Sequence, residues 1–451
     1  MAYTSKGRRP NEYASKSSHI HIIRDPAVSE YLAMCDFPEE VSDSTLDQQV
    51  INVSELVSNN SIKHVLAIDG GYTEVVVRQE FPSATIALFQ LGVNIFGVND
   101  LDELTGKPFV DPDDMAKLKQ IQRLKMALPI RNLALKGESS LIDSVRRTVY
   151  DVFRKEPSAD PVHDRLIETL RWFIYEEYSN DGSGLWSLSN CPSCGMRDIS
   201  LNKSHMSNQY TFSCPGCNGT LFLTDVFRLH EAVDNELGAG GILGYVTTLM
   251  EQMLIVHLIR LILKTQPALL NEMLFLKDGP LAFFGQTANM HQPMRKLCVY
   301  LMDHRNVFLA GMEKSGPFVD HADQLAPRLE NGSLLLLSNK YIYRHILPGN
   351  ADDSNPYART SYYGAKMIYK SHEGQMYVIT VPTRSAEVVI NPKLADFHNI
   401  NCILLNIDKL KCDMYDSSLI PIALVNKLVS LAHHPSSLIL EKFVRSSMHR
   451  N

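Results

Sequence analysis

Three things are scarce in this chain of 451 residues, and each scarcity excludes something. The first is excess positive charge. Lys and Arg number 44 against 50 Asp and Glu, for a formal net charge of -6. A basic field over the whole protein is thereby excluded, so any nucleic-acid surface is a local patch or is shared with a partner. The second is a long apolar run. The longest, Met253–Leu263, is interrupted by His257 and Arg260 and reads as too short and too polar to span a bilayer. The first ten residues, MAYTSKGRRP, are polar and basic with no apolar segment behind them, unlike a signal peptide. The third is a phosphate loop: the chain carries no G-x-x-x-x-G-K-[ST] and no glycine-rich loop of the kind that kinases need. That argues against an actin-like or sugar-kinase phosphotransferase, although D-G-G at a strand end also occurs there. The expectation is a cytoplasmic globular protein with no membrane segment.

What is present begins with cysteine. Four of the eight fall in two pairs, Cys191-Pro-Ser-Cys194 and Cys214-Pro-Gly-Cys217, spaced C-x2-C-x19-C-x2-C. Each pair sits in a tight turn that can offer two thiolates to one ion, and together they complete a tetrahedral set for zinc. QYTFSC and TLFLTD beside them read as the short strands of a zinc ribbon at about 185–225. With all four ligands used, no position is left open for chemistry, so the zinc is expected to be structural. Cys35, Cys298, Cys402 and Cys412 are scattered singly and read as core residues.

Two further stretches share one design. VLAIDGG at 65–71 and LFLKDGPLAFF at 274–284 are apolar runs that end in Asp69 and Asp278, each followed by glycine. Asp-Gly is a common turn. Yet carboxylates at the ends of buried strands are also how a sheet gathers acidic ligands for a divalent ion. Hydrolysis of a phosphodiester by two metals needs several such carboxylates, and hard oxygen ligands favour Mn2+ or Mg2+.

The order of elements points to a mixed sheet. VLAIDG, TEVVVRQE and SATIALFQLGVNIF read as three consecutive antiparallel strands. Residues 112–155 read as helical. They carry Lys117, Lys119, Arg123, Lys125, Arg146, Arg147, Arg154 and Lys155, a solvated face or part of a phosphate-contacting one. Helices follow at 160–178 and Ile242–Thr265. LFLKDG and NVFLAGMEKSG read as strands, HQPMRKLCVYLMDHR and PFVDHADQLAPRL as helices. LLLLSNKYIYRHIL, AKMIYK, QMYVITV and NINCILLNID read as sheet elements, and PIALVNKLVSLAHH as a terminal helix. This succession suits an α/β protein with a ribonuclease-H-like mixed sheet, helical insertions and a small inserted four-cysteine zinc ribbon.

AIDGGYTEVVV, then LFLKDGPL, then VFLAGMEKSG, resembles the NurA family of nucleases over about 64–95 and 242–315. That family pairs an early strand-end D-G with a later L-D-G-x-L and a G-x-x-K. The resemblance implies a ribonuclease-H-like fold and a manganese site made of Asp69, Asp278 and a glutamate on the helix before the second aspartate. Glu251 in TLMEQML fits that glutamate, with Glu272 as the competitor. It also implies a tyrosine, Tyr363 or Tyr362, and a C-terminal histidine, His433 or His434. Lys314 in GMEKSG is placed to reach a scissile phosphate. The family's members work on DNA, usually as dimers, with the hexameric translocase HerA. The zinc ribbon lies outside the minimal family pattern.

The organisation expected is an N-terminal arm at 1–50, a first nuclease part with a helical insertion at 51–184, the ribbon at 185–225, and a second nuclease part at 226–451. The function expected is that of an Mn- or Mg-dependent DNA exo- or endonuclease that hydrolyses phosphodiesters by a two-metal mechanism and acts with a HerA-type ATPase in end processing or phage defence. The alternative is a non-catalytic zinc-ribbon adaptor whose degenerate nuclease fold docks a DNA motor.

Overall fold

The computed structural model describes residues 18–53, 60–77, 83–99, 122–155, 164–180, 182–412, 418–431 and 436–448. Its strands are β1 (Val50–Asn52), β2 (His64–Val76), β3 (Thr85–Gly97), β4 (Gln122–Arg131), β5 (Leu185–Asn190), β6 (Arg197–Asn202), β7 (Thr211–Ser213), β8 (Thr220–Phe222), β9 (Met273–Asp278), β10 (Phe308–Glu313), β11 (Ser333–Leu336), β12 (Ala365–Lys370) and β13 (Met376–Val381). Nine of them form one mixed sheet in the order β1-β11-β12-β13-β10-β9-β2-β3-β4. The three central strands, β10, β9 and β2, run parallel, and every other pairing in the sheet is antiparallel. The remaining four make two small hairpins, β5-β6 and β7-β8. The expected mixed sheet with helical insertions and an inserted four-cysteine element is what forms.

Alternation along the strands assigns the two faces. Leu66 and Ile68 of β2 and Phe275 of β9 pack under the helices Leu141–Arg154, Leu166–Ile174, Leu243–Thr265 and His291–His304. Val65, Ala67, Leu274 and Leu276 face the other way, onto the helices Ile400–Lys409 and Ile420–Val429. The central strands are thus apolar on both sides, as buried parallel strands are.

Several elements differ from the sequence reading. The TEVV of TEVVVRQE is no separate strand. β2 continues through Gly70 and Gly71 to Val76, paired to β3 from end to end, so two expected strands are one. QRLKMALPIR, expected to be helical, is strand β4, because its alternate residues Met126, Leu128 and Ile130 extend the apolar face of β3. Residues 112–121, the start of that expected helix with Lys117 and Lys119, lie outside the described residues. NINCILLNID is helical, with Ile400, Ile403, Leu404 and Ile407 buried at helical spacing. LLLLSNKYIYRHIL is strand only at its first three residues, the end of β11 (Ser333–Leu336), and Ser338 caps a helix over Asn339–His345.

The apolar helix also needs correction. Taken as Gly240–Thr265, its 26 residues are long and apolar enough to cross a membrane by length and composition. Here those residues serve the protein core: Leu249, Met250, Met253, Val256 and Ile259 are fully buried.

The ribbon is joined to the same core rather than hung from it. Leu188, Ile199, Leu201, Phe212 and Leu221 pack into one cluster with the helices above the sheet. Arg146 fixes the junction. Its guanidinium meets both carboxylate oxygens of buried Asp225 at 2.9 and 2.8 Å and the Thr220 carbonyl at 2.9 Å. Arg146 is therefore no part of a phosphate-contacting surface, and Arg147 is occupied by Asp151 at 2.9 Å.

Candidate metal centres

The acidic centre lies where the parallel β2–β9 pairing ends, at the C-terminus of β9 and midway along β2. Asp69 and Asp278 share the face of Ala67 and Leu276 by alternation. Lys314 follows β10 on that same face, and its Nζ donates to Asp278 Oδ2 at 2.7 Å. Glu251 arrives from the opposite face, on the helix Leu243–Thr265. A glycine admits it. A Cβ on Gly70 would lie 3.2 Å from Glu251 Oε1 and 3.0 Å from Thr247 Cγ2.

A second glycine shapes the rim. Gly279 turns the chain at φ +85°, and its amide donates to the Met312 carbonyl at 2.7 Å. The turn crosses directly over β10 at Gly311, where a Cβ would fall 2.6 Å from the Gly279 carbonyl oxygen. The glycine of G-x-x-K is thus needed by the turn that ends the aspartate strand.

The electrostatics are strained toward neutrality. Asp69 is 5% exposed. Its Oδ1 accepts the Gly70 amide at 2.8 Å, while its Oδ2 is buried with no hydrogen-bond partner. Burial, then the charges of Asp278 and Glu251, push its carboxyl up to about 7, against the pull of Lys314 and the Gly70 amide. Burial also raises Glu251, opposed chiefly by Lys277, whose Nζ lies 2.8 Å from Glu251 Oε2. A buried carboxylate oxygen without a donor costs free energy unless a cation fills the place. Hard carboxylate oxygens are the donor type that Mn2+ and Mg2+ take, so the donor chemistry suits such an ion.

The other expected residues separate. Tyr363 is buried against Phe283, and its hydroxyl donates to Gln252, the neighbour of Glu251, rather than to a carboxylate. Tyr362 turns away into an aromatic group with Tyr357, 4.9 Å from the Lys366 ammonium, which pairs with Glu313 at 2.7 Å. Glu272 stands at the opposite end of β9 and pairs with Lys63 at the surface. His433 and His434 lie outside the described residues. Sequence reasoning missed Lys277 and Gln252. The signal for Lys277 was a lysine inside an otherwise apolar strand.

The thiol centre is tighter. The four Sγ atoms of Cys191, Cys194, Cys214 and Cys217 lie within 4.8 Å of one another. Cys191 is 3.9 Å from Cys217, and Cys194 is 3.8 Å from Cys214. A tetrahedron with Zn–S bonds of about 2.3 Å has edges of about 3.8 Å, so the set fits zinc. Backbone bonds hold both turns: Gly195 N to Cys191 O and Asn218 N to Cys214 O, each 2.9 Å. The Gly219 amide points at Cys217 Sγ from 3.4 Å. Burial opposes a thiolate at Cys214, but the amides of Cys217 and Gly216 and the neighbouring thiols bring it down to about 7. Among the described residues these four cysteines are the set that converges this closely; the three carboxylates, two of them held by lysines, do not.

No family model and no curated protein matches the sequence. Among solved structures, the NurA nuclease from Sulfolobus solfataricus aligns with 96% of this chain and 95% of its own at 10% identity, with a TM-score of 0.35. A score that low does not identify a fold.

Proposed function

We propose that the chain is a metal-dependent DNA nuclease. The observation that carries this reading is the buried, unpartnered Oδ2 of Asp69 where the parallel β2–β9 pairing ends, beside Glu251 and Asp278. Asp69, Glu251 and Asp278 would hold Mn2+ or Mg2+. A divalent ion bound there supplies an activated water and positive charge for the phosphodiester. Lys314, fixed at Asp278, brings a further positive charge to the same rim and orients the phosphate. Tyr363 acts through Gln252 by holding the helix that carries Glu251. His433 completes the site in this reading. The four cysteines hold structural Zn2+.

The motif resemblance to NurA, carried by AIDGG, LKDGPL and GMEK, supports the wider reading. DNA is the substrate, a HerA-type hexameric ATPase the partner, a homodimer the working form and the cytoplasm the compartment. End processing or phage defence is the setting. The nuclease domain is read as 51–184 and 226–451, with the arm at 1–50 and the ribbon at 185–225 between its parts. The net charge of -6 leaves much of the grip on DNA to the motor.

A second reading has its own observation. Lys277 and Lys314 already neutralise Glu251 and Asp278, as they would in a degenerate site of an adaptor that docks a DNA motor. Digestion of plasmid and single-stranded DNA with Mn2+, Mg2+ or neither separates the two. Metal-dependent cutting that is lost in Asp69→Ala and Asp278→Ala supports the nuclease. Purified protein that never cuts, alone or with its motor, or alanine variants that cut as well as wild type, overturns it in favour of the adaptor.

A further inference from the structure

We infer that Lys277 is a built-in cation of the acidic centre, standing where a second metal would sit, so that the site takes one divalent ion per chain. The inference rests on the nuclease reading and specifies its metal chemistry.

Lys277 is the fifth residue of β9, in a strand whose preceding residues Met273, Leu274, Phe275 and Leu276 are all buried. It is itself 3% exposed. An ammonium at that depth is tolerated only with full compensation. Alternation sends it to the face opposite Asp278, toward the helix that carries Glu251. There Nζ reaches Glu251 Oε2 at 2.8 Å and turns back to the carbonyl oxygen of Asp278 at 2.5 Å. Packing alone would be served by leucine or methionine, so the charge needs a reason, and its partner is one of the three clustered carboxylates.

The arrangement divides Glu251 between two tasks. Oε2 belongs to Lys277, while Oε1 lies over Gly70, the residue after Asp69. Asp278 is divided likewise, with Oδ2 given to Lys314. A pair of ions about 3.5–4 Å apart needs bridging carboxylates with both oxygens available. Two of the three carboxylates here have given an oxygen to an ammonium, and Asp69 Oδ2 is the buried oxygen left without a partner. Charge points the same way. Three carboxylates and the two lysines sum to one negative charge; one divalent ion leaves one positive charge, which matches one phosphodiester, whereas two ions leave three. Lys277 is a positioning residue in this scheme: it fixes Glu251 and supplies a permanent charge without itself meeting substrate.

The test is Mn2+ binding to the zinc-loaded full chain, by calorimetry and by electron paramagnetic resonance. Wild type is expected to bind about one Mn2+ with the spectrum of an isolated ion. Lys277→Met keeps the apolar stem and removes the charge; it is expected to bind about two, while Lys277→Arg stays at about one. Wild type binding two spin-coupled ions, or a folded Lys277→Met that still binds one, overturns the inference. If Lys277→Met fails to fold, the wild-type stoichiometry and spectrum decide. Cutting with two ions defeats this inference alone, whereas no Mn2+ binding and no cutting defeats the nuclease reading as well.

Discussion

Ile68 and Lys277 are the last register partners of the parallel β2–β9 ladder, so Asp69 and Asp278, one residue further along each strand, end side by side on one face of the sheet. The hydrogen-bond register does this work. Slipping either strand by one residue would send its aspartate to the opposite face, among the apolar side chains under the helix Leu243–Thr265.

That placement gives Asp69 a pH signature. In the metal-free protein its carboxyl is raised from 3.8 to about 7, by burial first and then by Asp278 and Glu251, with Lys314 and the Gly70 amide opposing. The neutral acid is the form the fold prefers. Its contribution to stability is therefore fully present below about 4 and is lost as pH rises through 7. Thermal melts of zinc-loaded protein free of Mn2+ and Mg2+ should show wild type falling relative to Asp69→Asn across that window. Added Mn2+ should restore wild type and not the variant, with binding that tightens as pH rises through 7 and releases a proton. Parallel curves for the two proteins would refute the assignment.

Gly311 offers a test of the rim. Alanine there places a Cβ 2.6 Å from the Gly279 carbonyl oxygen and 2.8 Å from the Leu281 amide nitrogen, both backbone atoms that cannot swing aside. Overpacking of this kind costs about 1–3 kcal/mol. Because the displaced turn follows Asp278 directly, Gly311→Ala should weaken Mn2+ binding as well as lower the denaturation midpoint. A control at Gly316, where a Cβ meets nothing within 4 Å but φ is +104°, should cost stability and leave metal binding intact. Equal metal affinity in wild type and Gly311→Ala would refute the rim's role.

The parts of this architecture that are local in sequence were legible there. Cys-x-x-Cys pairs and apolar runs ending in Asp-Gly carry their geometry within a few residues, which is why the converging cysteines and the strands that carry Asp69 and Asp278 could be read from them. The parts set by distant contacts were not. Gly70-Gly71 resembles a turn, yet the full-length ladder with β3 keeps it extended. QRLKMALPIR reads as a continuation of the charged stretch before it, yet it completes a sheet whose apolar face reaches beyond β3. Glu251 could be anything on a helix surface until Gly70 makes room for it, and Lys277 reads as a flaw in a strand until Glu251 is beside it.

The Arg146–Asp225 pair predicts how the ribbon is anchored. Both side chains are almost wholly buried, with two guanidinium bonds between them. Removing Arg146 leaves Asp225 as an uncompensated buried charge, a loss of about 3–5 kcal/mol, whereas in Asp225→Leu the guanidinium keeps Asp143 at 3.2 Å. Arg146→Met should therefore destabilise by that order in chemical denaturation, Asp225→Leu by less, and the double variant should lose less than the sum of the two. Additive losses would mean that the two act separately.

Zinc itself supplies the remaining prediction. Elemental analysis should give about one zinc per chain, by the four-thiolate count. Removing it should not merely loosen a small appendage. Cys191 and Cys214 are buried in the same apolar cluster as Leu170, Met250 and Phe275, so the ribbon's collapse opens the layer that holds the helix of Glu251 against the sheet. Cys191→Ser should therefore lower the melting temperature of the whole chain, and chelation should reproduce the loss in wild type. The two effects differ in how they reach the acidic centre. At a temperature where Cys191→Ser is still folded, Mn2+ binding should remain near wild type, because no cysteine touches Asp69, Glu251 or Asp278 in the described contacts. An unchanged melting temperature in Cys191→Ser would remove the structural role. Loss of Mn2+ binding in a chain that circular dichroism shows to be folded would place the ribbon in the chemistry instead.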